Sequence, residues 1–251
     1  MKWFWFIVLI FLSTNVQARV FNLTQEKFAS YLILGGGPSG TGKTFFEGET
    51  ASSLEYSKGY SLDTSGEFGF MWASQYLNLR LGLEFISPAV LKGVEATSGT
   101  TVLYEIESKI SGYVPKVGVE FNLQSTPRTR SFAFFNYGSG SITVDNTYDL
   151  TADGLAAFPG VVDHVLKMKG SAQHLSGGLG FEGFFSDTTT YIFEIGYRAM
   201  NFDKLTATET VTTFSNQVYD SGDVVKFANG DNRVLNMSGY FLNLGIRIYL
   251  W

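Results

Sequence analysis

The chain has 251 residues, a formal net charge of −5 and no cysteine. That charge argues against holding nucleic acid or an anionic surface by bulk electrostatics, and the lack of cysteine excludes disulfides, a thiolate metal site and a lipid-modified N-terminal cysteine. Charged residues make up 16%, below the roughly 25% of soluble domains, and 28 glycines and 23 phenylalanines against 5 prolines suit a many-stranded β protein.

The first element is a leader. Lys2 precedes an apolar run, Trp3 to Leu12, about half the roughly 20 residues that a spanning helix needs. Polar residues 13–17 follow, and Val16-Gln17-Ala18 has the small-residue pattern of a cleavage site. Residues 1–18 read as a secretory signal peptide cut after Ala18, and residues 19–251 as a single domain. No later segment is apolar enough for a spanning helix.

Eight segments alternate with the period-two rhythm of a strand. They cover residues 31–37, 66–73, 77–85, 113–123, 131–137, 174–185, 191–199 and 238–251. The third sets Leu77, Leu79, Leu81, Leu83 and Phe85 against Asn78, Arg80, Gly82 and Glu84. The last sets Leu242, Leu244, Ile246, Ile248 and Leu250 against Asn243, Gly245 and Arg247, and it runs to the end of the sequence, as a strand that closes a sheet does. Segment 131–137 is aromatic and blurred in phase. Short connections (74–76, 124–130, 186–190) alternate with long ones (38–65, 86–108, 138–170, 201–237), and a short helix interrupted at Pro159 is expected within 152–169. Four loops beyond roughly 15 residues are unusual in a soluble domain. Short turns at one end and long loops at the other suit a transmembrane barrel.

Alternation alone does not say which face is inside, and a soluble barrel with an apolar lumen shows the same period. The apolar face here carries no charge in any well-phased strand, while the other face mixes charges with glycines. Trp72, Tyr76, Tyr113, Tyr137, Tyr191, Tyr240, Tyr249 and Trp251 sit near segment ends, where interfacial aromatic girdles form. The apolar face is therefore read as lipid-facing.

Gly118-Val119-Glu120-Phe121-Asn122-Leu123, residues 178–187, Glu194-Ile195-Gly196-Tyr197-Arg198 and the terminal strand resemble the eight-stranded bacterial outer-membrane barrel families around OmpW and OmpX. The resemblance covers most of the mature chain and lies in pattern more than in signature residues. It implies an all-β, eight-stranded antiparallel transmembrane barrel in the outer membrane of a Gram-negative envelope. Its surroundings would be outer-membrane lipid and lipopolysaccharide, and its C-terminal strand would meet the outer-membrane assembly machinery. Two features depart from the pattern. Pro115 falls within a strand, where it forfeits a ladder bond, and Trp251 falls on the polar phase.

Three constellations carry candidate chemistry. Gly37-Pro38-Ser39-Gly40-Thr41-Gly42-Lys43-Thr44 matches the phosphate-binding loop pattern, but such a loop needs a following helix and a parallel sheet. Residues 45–50 are not amphipathic, so the segment reads as a Gly-rich outer loop with no nucleotide expected. His174 and Ser176 share one strand face. A serine nucleophile needs a base and a group that orients it, and no carboxylate on a neighbouring strand is in register, so the pair reads as polar lumen. Two scattered histidines make no metal site, and no cofactor is expected.

The third constellation is the set of inward charges. Arg80, Glu120, Glu182, Glu194, Arg198 and Arg247 are expected to interlock near the periplasmic end, with Glu67, Glu84 and Lys116 above them. Balanced signs favour structural pairing over acid–base catalysis, because buried charges must be paired. The expected function is non-enzymatic: a charge-plugged barrel whose surface loops serve envelope integrity, interaction or adhesion. The alternatives are an OmpW-like narrow conduit for small apolar solutes and, third, a lipid-modifying hydrolase.

Overall fold

Eight strands hydrogen-bond in a closed ring in which each is antiparallel to its neighbours. In the computed structural model, which describes residues 21–50, 54–88, 90–214 and 217–250, the ring consists of β1 (Phe28–Gly42), β3 (Tyr60–Trp72), β4 (Leu77–Ile86), β6 (Thr101–Ser125), β7 (Thr129–Leu150), β8 (His164–Ser186), β9 (Thr189–Phe202) and β14 (Gly239–Leu250). Each pairs with the next, and β14 closes on β1 from Phe28↔Leu250 to Gly36↔Leu242. Each of the eight period-two segments falls on one of these strands among the described residues, with Ala73 and Ser238 just outside. The signal peptide expected over 1–18, its cleavage after Ala18, and Trp251 lie outside the described residues.

The three short turns lie at one end. At the other, the connections expected as loops hold much additional strand. β6, β7 and β8 run 25, 22 and 23 residues, far beyond the roughly 9–11 that cross a bilayer. β5 (Leu91–Ser98) pairs with β6 and with β2 (Glu55–Tyr56), and β10 (Leu205–Ala207) pairs with β8. β11 (Val211–Thr212) pairs with β12 (Val218–Tyr219), and β13 (Leu235–Asn236) with β9. The short helix expected within 152–169 is α1 (Ala152–Ala157), capped by Thr151, whose hydroxyl accepts from the Gly154 N–H; it ends before Pro159 and does not resume, and β8 begins at His164.

Each long strand changes polarity along its length. On β6, Tyr113, Val117 and Phe121 face outward and are about half exposed. Above Tyr113 the outward positions are Lys109, Glu107 and Glu105, while Ile110 and Ile106 turn inward at 1% exposure or less. The lower part is thus apolar outside and polar inside, and the upper part is the reverse. Around the lower part, Leu32 and Leu34, Phe68, Phe70 and Trp72, Leu79 and Leu81, Phe135, Leu179, Ile195, and Leu242 and Leu244 complete an exposed apolar belt. The upper part encloses one large apolar core, to which the connection after β1 contributes Phe45, Phe46 and Leu54, and that after β9 contributes Phe214, Val225 and Leu235.

Candidate functional site: the charged lumen

The lumen of the membrane part is filled by side chains from all eight strands. On four of them, two charges lie four residues apart and so on one face: Asp63 and Glu67 on β3, Arg80 and Glu84 on β4, Lys116 and Glu120 on β6, Glu194 and Arg198 on β9. Antiparallel neighbours then place one member of each pair low and the other about 13 Å higher. The result is two layers, with a third near the turns.

The lowest layer centres on Glu182. It accepts from Arg247 Nη1 at 2.7 Å, Tyr249 Oη at 2.6 Å and Thr190 Oγ1 at 2.6 Å, with Arg130 Nη1 at 3.5 Å. Arg130 also donates to the Leu23 carbonyl at 2.6 Å, tying the segment before β1 under the barrel. Arg247 reaches on through Nη2 to Glu120. In the middle layer Arg80 bridges Glu120 at 3.2 Å and Glu194 at 2.6 Å, with Glu67 at 3.5 Å. Asn78 donates to Glu120, Asn243 to Glu194 and Tyr31 to Glu67. Lys116 joins the layers, 2.8 Å from Glu67 and 2.9 Å from Glu84. In the upper layer Arg198 meets Glu84 at 3.4 Å and Asp63 at 3.1 Å.

Five of the six residues expected to interlock are therefore directly linked: Glu182, Arg247, Glu120, Arg80 and Glu194. Arg198 is not with them. It sits opposite Gly239 and Ser176, high on β9, and joins Glu84, one of the residues expected above. Arg130 and Asp63 are additional members. Arg130 precedes the segment whose phase is blurred, because Phe132 and Phe134 point inward beside it. Tyr249, expected in an aromatic girdle, is instead 3% exposed and inside; its odd number puts it in phase with Arg247.

Glycine makes room for these groups. A Cβ on Gly82 would lie 2.4 Å from both Tyr31 Oη and Glu67 Oε1, and one on Gly180 would lie 2.3 Å from the Phe132 ring. Tyr31 and Phe132 in turn give their ring faces to Arg80 and Arg247, at 4.7 and 5.1 Å. Such contacts favour a guanidinium held away from water.

His174 and Ser176 face the lumen, as their phase implies. The register argument against a nearby carboxylate needs correction: Glu84 reaches across from β4 to within 3.8 Å of His174 Nε2. Glu84 is already engaged by Lys116 and Arg198, however, and Ser176 accepts from Asn136 Nδ2 at 3.1 Å. The adjoining cavity is about 20 Å³, room for about one water. Residues 37–42 of the phosphate-loop pattern lie within β1 rather than in the expected outer loop. Lys43 and Thr44 follow in a turn, Thr44 Oγ1 donating to the Thr41 carbonyl, and residues 45–50 are turn and bend rather than helix.

Above the belt a second buried polar group ties the loops together. Arg233 pairs with Glu49, and Tyr148 on β7 donates to the same carboxylate. Burial and then Glu49 push the Tyr148 phenol up; at Arg233 burial opposes the charge, Glu49 outweighs it, and the guanidinium is raised. Phe45 and Phe227 lie 5.6 and 5.3 Å from the guanidinium.

No family model and no curated protein sequence matches the chain. Solved structures do. A major outer membrane protein from Thermus thermophilus aligns at TM-score 0.50 and 12% identity, over 89% of this chain and 99% of that one. Ail, the attachment invasion locus protein of Yersinia pestis, aligns at TM-score 0.43 and 9% identity over 90% and 100%. The outer membrane protease OmpT from Escherichia coli aligns at 0.39 and 8% over 90% and 94%. The chain has the outer-membrane barrel fold. A closed antiparallel ring leaves no unpaired strand edge in lipid, and with its apolar belt, short turns and long opposite extensions this barrel resides in the bacterial outer membrane.

Proposed function

From that fold, we propose that the chain is a non-enzymatic, closed barrel whose activity lies in its extracellular cap, which meets partners at the cell surface or braces the envelope. The observation that carries this reading is closure at two heights. A ladder of ion pairs crosses the lumen from Arg130 to Arg198, and a packed apolar core from the outer loops sits above it. An eight-stranded barrel is just wide enough for side chains to fill. Outer-membrane lipid and lipopolysaccharide would surround the belt, and β14 would be the strand presented to the assembly machinery. The barrel is non-enzymatic in this reading because the His174–Ser176 pair is enclosed and its carboxylate engaged. Purified protein in planar bilayers is expected to give no stable ion conductance; reproducible single-channel steps from the wild type would overturn the plug.

A narrow conduit for small apolar solutes is the second reading. It draws on the apolar upper lumen and on Pro115, where the β6–β7 ladder skips from Tyr113↔Ser141 to Lys116↔Gly138. Against it, Val114, Ile142, Met168, Met200 and Phe202 beside that gap are packed at 2% exposure or less.

A further inference from the structure

A groove of about 530 Å³ runs along the lipid-facing side of the barrel over β4 and β6. Two successive rungs of cross-strand neighbours build it. In one, Trp72, Leu79, Val119 and Phe135 stand side by side on β3, β4, β6 and β7; in the next, Phe70, Leu81, Val117 and Tyr137 do. Each rung sets two aliphatic side chains between two aromatic ones. Phe28 stacks on Phe70 with ring centroids 5.8 Å apart and thickens the wall. Beyond the groove, Leu83 and Pro115 carry the aliphatic strip on for another rung, and the Phe85–Tyr113 and Leu77–Phe121 pairs flank the strip at either end.

The dimensions select the occupant. The wall strands are three strand spacings apart, about 14 Å, and their rings narrow the opening to a slot above two strands. The groove itself spans the Leu79 and Leu81 rungs, about 7 Å of strand; with Leu83 and Pro115 beyond it the aliphatic strip runs about 13 Å, against about 15 Å for one leaflet of the hydrocarbon core. Its lower end lies by the 74–76 turn, where exposed Trp72 and Tyr76 mark the periplasmic interface. A second barrel presents a convex belt, and a stable pairing needs more than roughly 1,000 Å² buried, whereas this trough admits a rod. We propose that the slot is a binding site for one acyl chain of a phospholipid in the periplasmic leaflet, held by aromatic walls that are already in place before the lipid arrives.

The test uses full-length protein in vesicles of phosphatidylethanolamine and phosphatidylglycerol, doped with a phospholipid bearing a diazirine on one acyl chain. After irradiation, labelled positions are mapped by peptide mass spectrometry. Leu81 and Val117 (62% and 52% exposed) and Ile195 and Leu244 on other strands (53% and 57%) are equally open to lipid, so accessibility alone predicts equal labelling. The slot predicts several-fold more on Leu81 and Val117. The double variant Val117→Phe, Val119→Phe fills the floor and should bring labelling down to the Ile195 level, whereas Ile195→Phe should leave slot labelling unchanged. Equal labelling around the wild-type belt, slot labelling that survives the filled floor, or barrel-to-barrel crosslinks at the slot in place of lipid would each overturn the proposal. The wild-type contrast decides even if the filled variant folds poorly.

Discussion

The membrane half and the extracellular half of this barrel share strands yet use opposite interiors. Inside the belt, Glu182, Arg247, Glu120, Arg80 and Glu194 fill the lumen. Above it, Ile106, Ile110, Val144, Leu166 and Met168 fill the same cross-section. The solvent explains the reversal. In water, burying an apolar side chain gains roughly 25 cal/mol per Å², so the cap holds together by apolar contact. In lipid the surroundings are already apolar, and moving a leucine inward gains little. What separates inside from outside there is that charges cannot face hydrocarbon and must find partners. The lumen specifies itself by pairing, and the cap by burial.

The largest test of that contrast is Arg247→Ala. It leaves Glu120 and Glu182, both 0% exposed, without their shared partner. Breaking a buried pair costs about 3–5 kcal/mol, read as a lower urea midpoint in vesicles and loss of the distinct mobility of unboiled protein. Pairing is the cause if Arg247→Met combined with Glu120→Gln, which leaves Arg80 its Glu194 and Glu182 its Arg130, recovers most of the loss; an unchanged midpoint in Arg247→Ala would mean that the lumen is hydrated. In the cap the corresponding change is Phe46→Ala, at 0% exposure. Removing a buried phenylalanine costs about 3–5 kcal/mol, but here the loss should stay local. Protease should cleave the outer loops faster while the unboiled barrel keeps its mobility. A barrel that unfolds with its cap would refute the separation of the two halves.

The same contrast explains what can be read in the sequence. The eight spanning segments are legible because lipid on one side and a narrow lumen on the other enforce a strict period of two. The upper reaches of β6 to β8 read as loops. Their alternation is present, Ile106 and Ile110 against Glu105, Glu107 and Lys109, but its apolar phase is even-numbered there and odd-numbered from Tyr113 downward. A strand leaving lipid for water must invert, and in sequence that inversion looks like a break. The inward charges are legible by phase. Their heights are not, because strand tilt and stagger decide level, and so Arg198 is expected a layer too low. The four-residue spacing on β3, β4, β6 and β9 is the available signal for two layers. The Glu49–Arg233 pair joins two distant loops, and nothing periodic announces it.

Depth provides a finer test. Leu244 pairs with Leu34 and Phe193, and Ile248 with Ser30 and Thr189 beside the turn. Leu244→Arg should cost about 2–4 kcal/mol and Ile248→Arg about 0–1, the midplane and interfacial values for such a change. Equal costs would mean that the belt is misplaced. An alkaline titration tests the cap. Burial pushes the Tyr60 phenol up to about 12, and Tyr148 is raised too. The unfolded chain loses these protons near pH 10, so above that pH it binds fewer protons than the folded cap and stability falls as pH rises. Phenolate absorbance from the cap should therefore appear only above the ordinary range and together with loop cleavage; its appearance at pH 10 in intact protein would contradict the burial.

The smallest expected effect concerns Ser176. It accepts one hydrogen bond from Asn136, worth about 1 kcal/mol, and a buried hydroxyl facing a cavity with room for about one water, beside Glu84 and Arg198, leaves no space for an acyl ester against it. Ser176→Ala should shift the urea midpoint slightly and leave the plug closed. Long-chain acyl esters should hydrolyse at the buffer rate with wild type and variant alike. If wild type exceeds buffer and the excess disappears in Ser176→Ala, the lumen opens to substrate and His174 serves Ser176 as its base. The charge ladder would then be a gate over an active site, and the membrane half, rather than the cap, would carry the function.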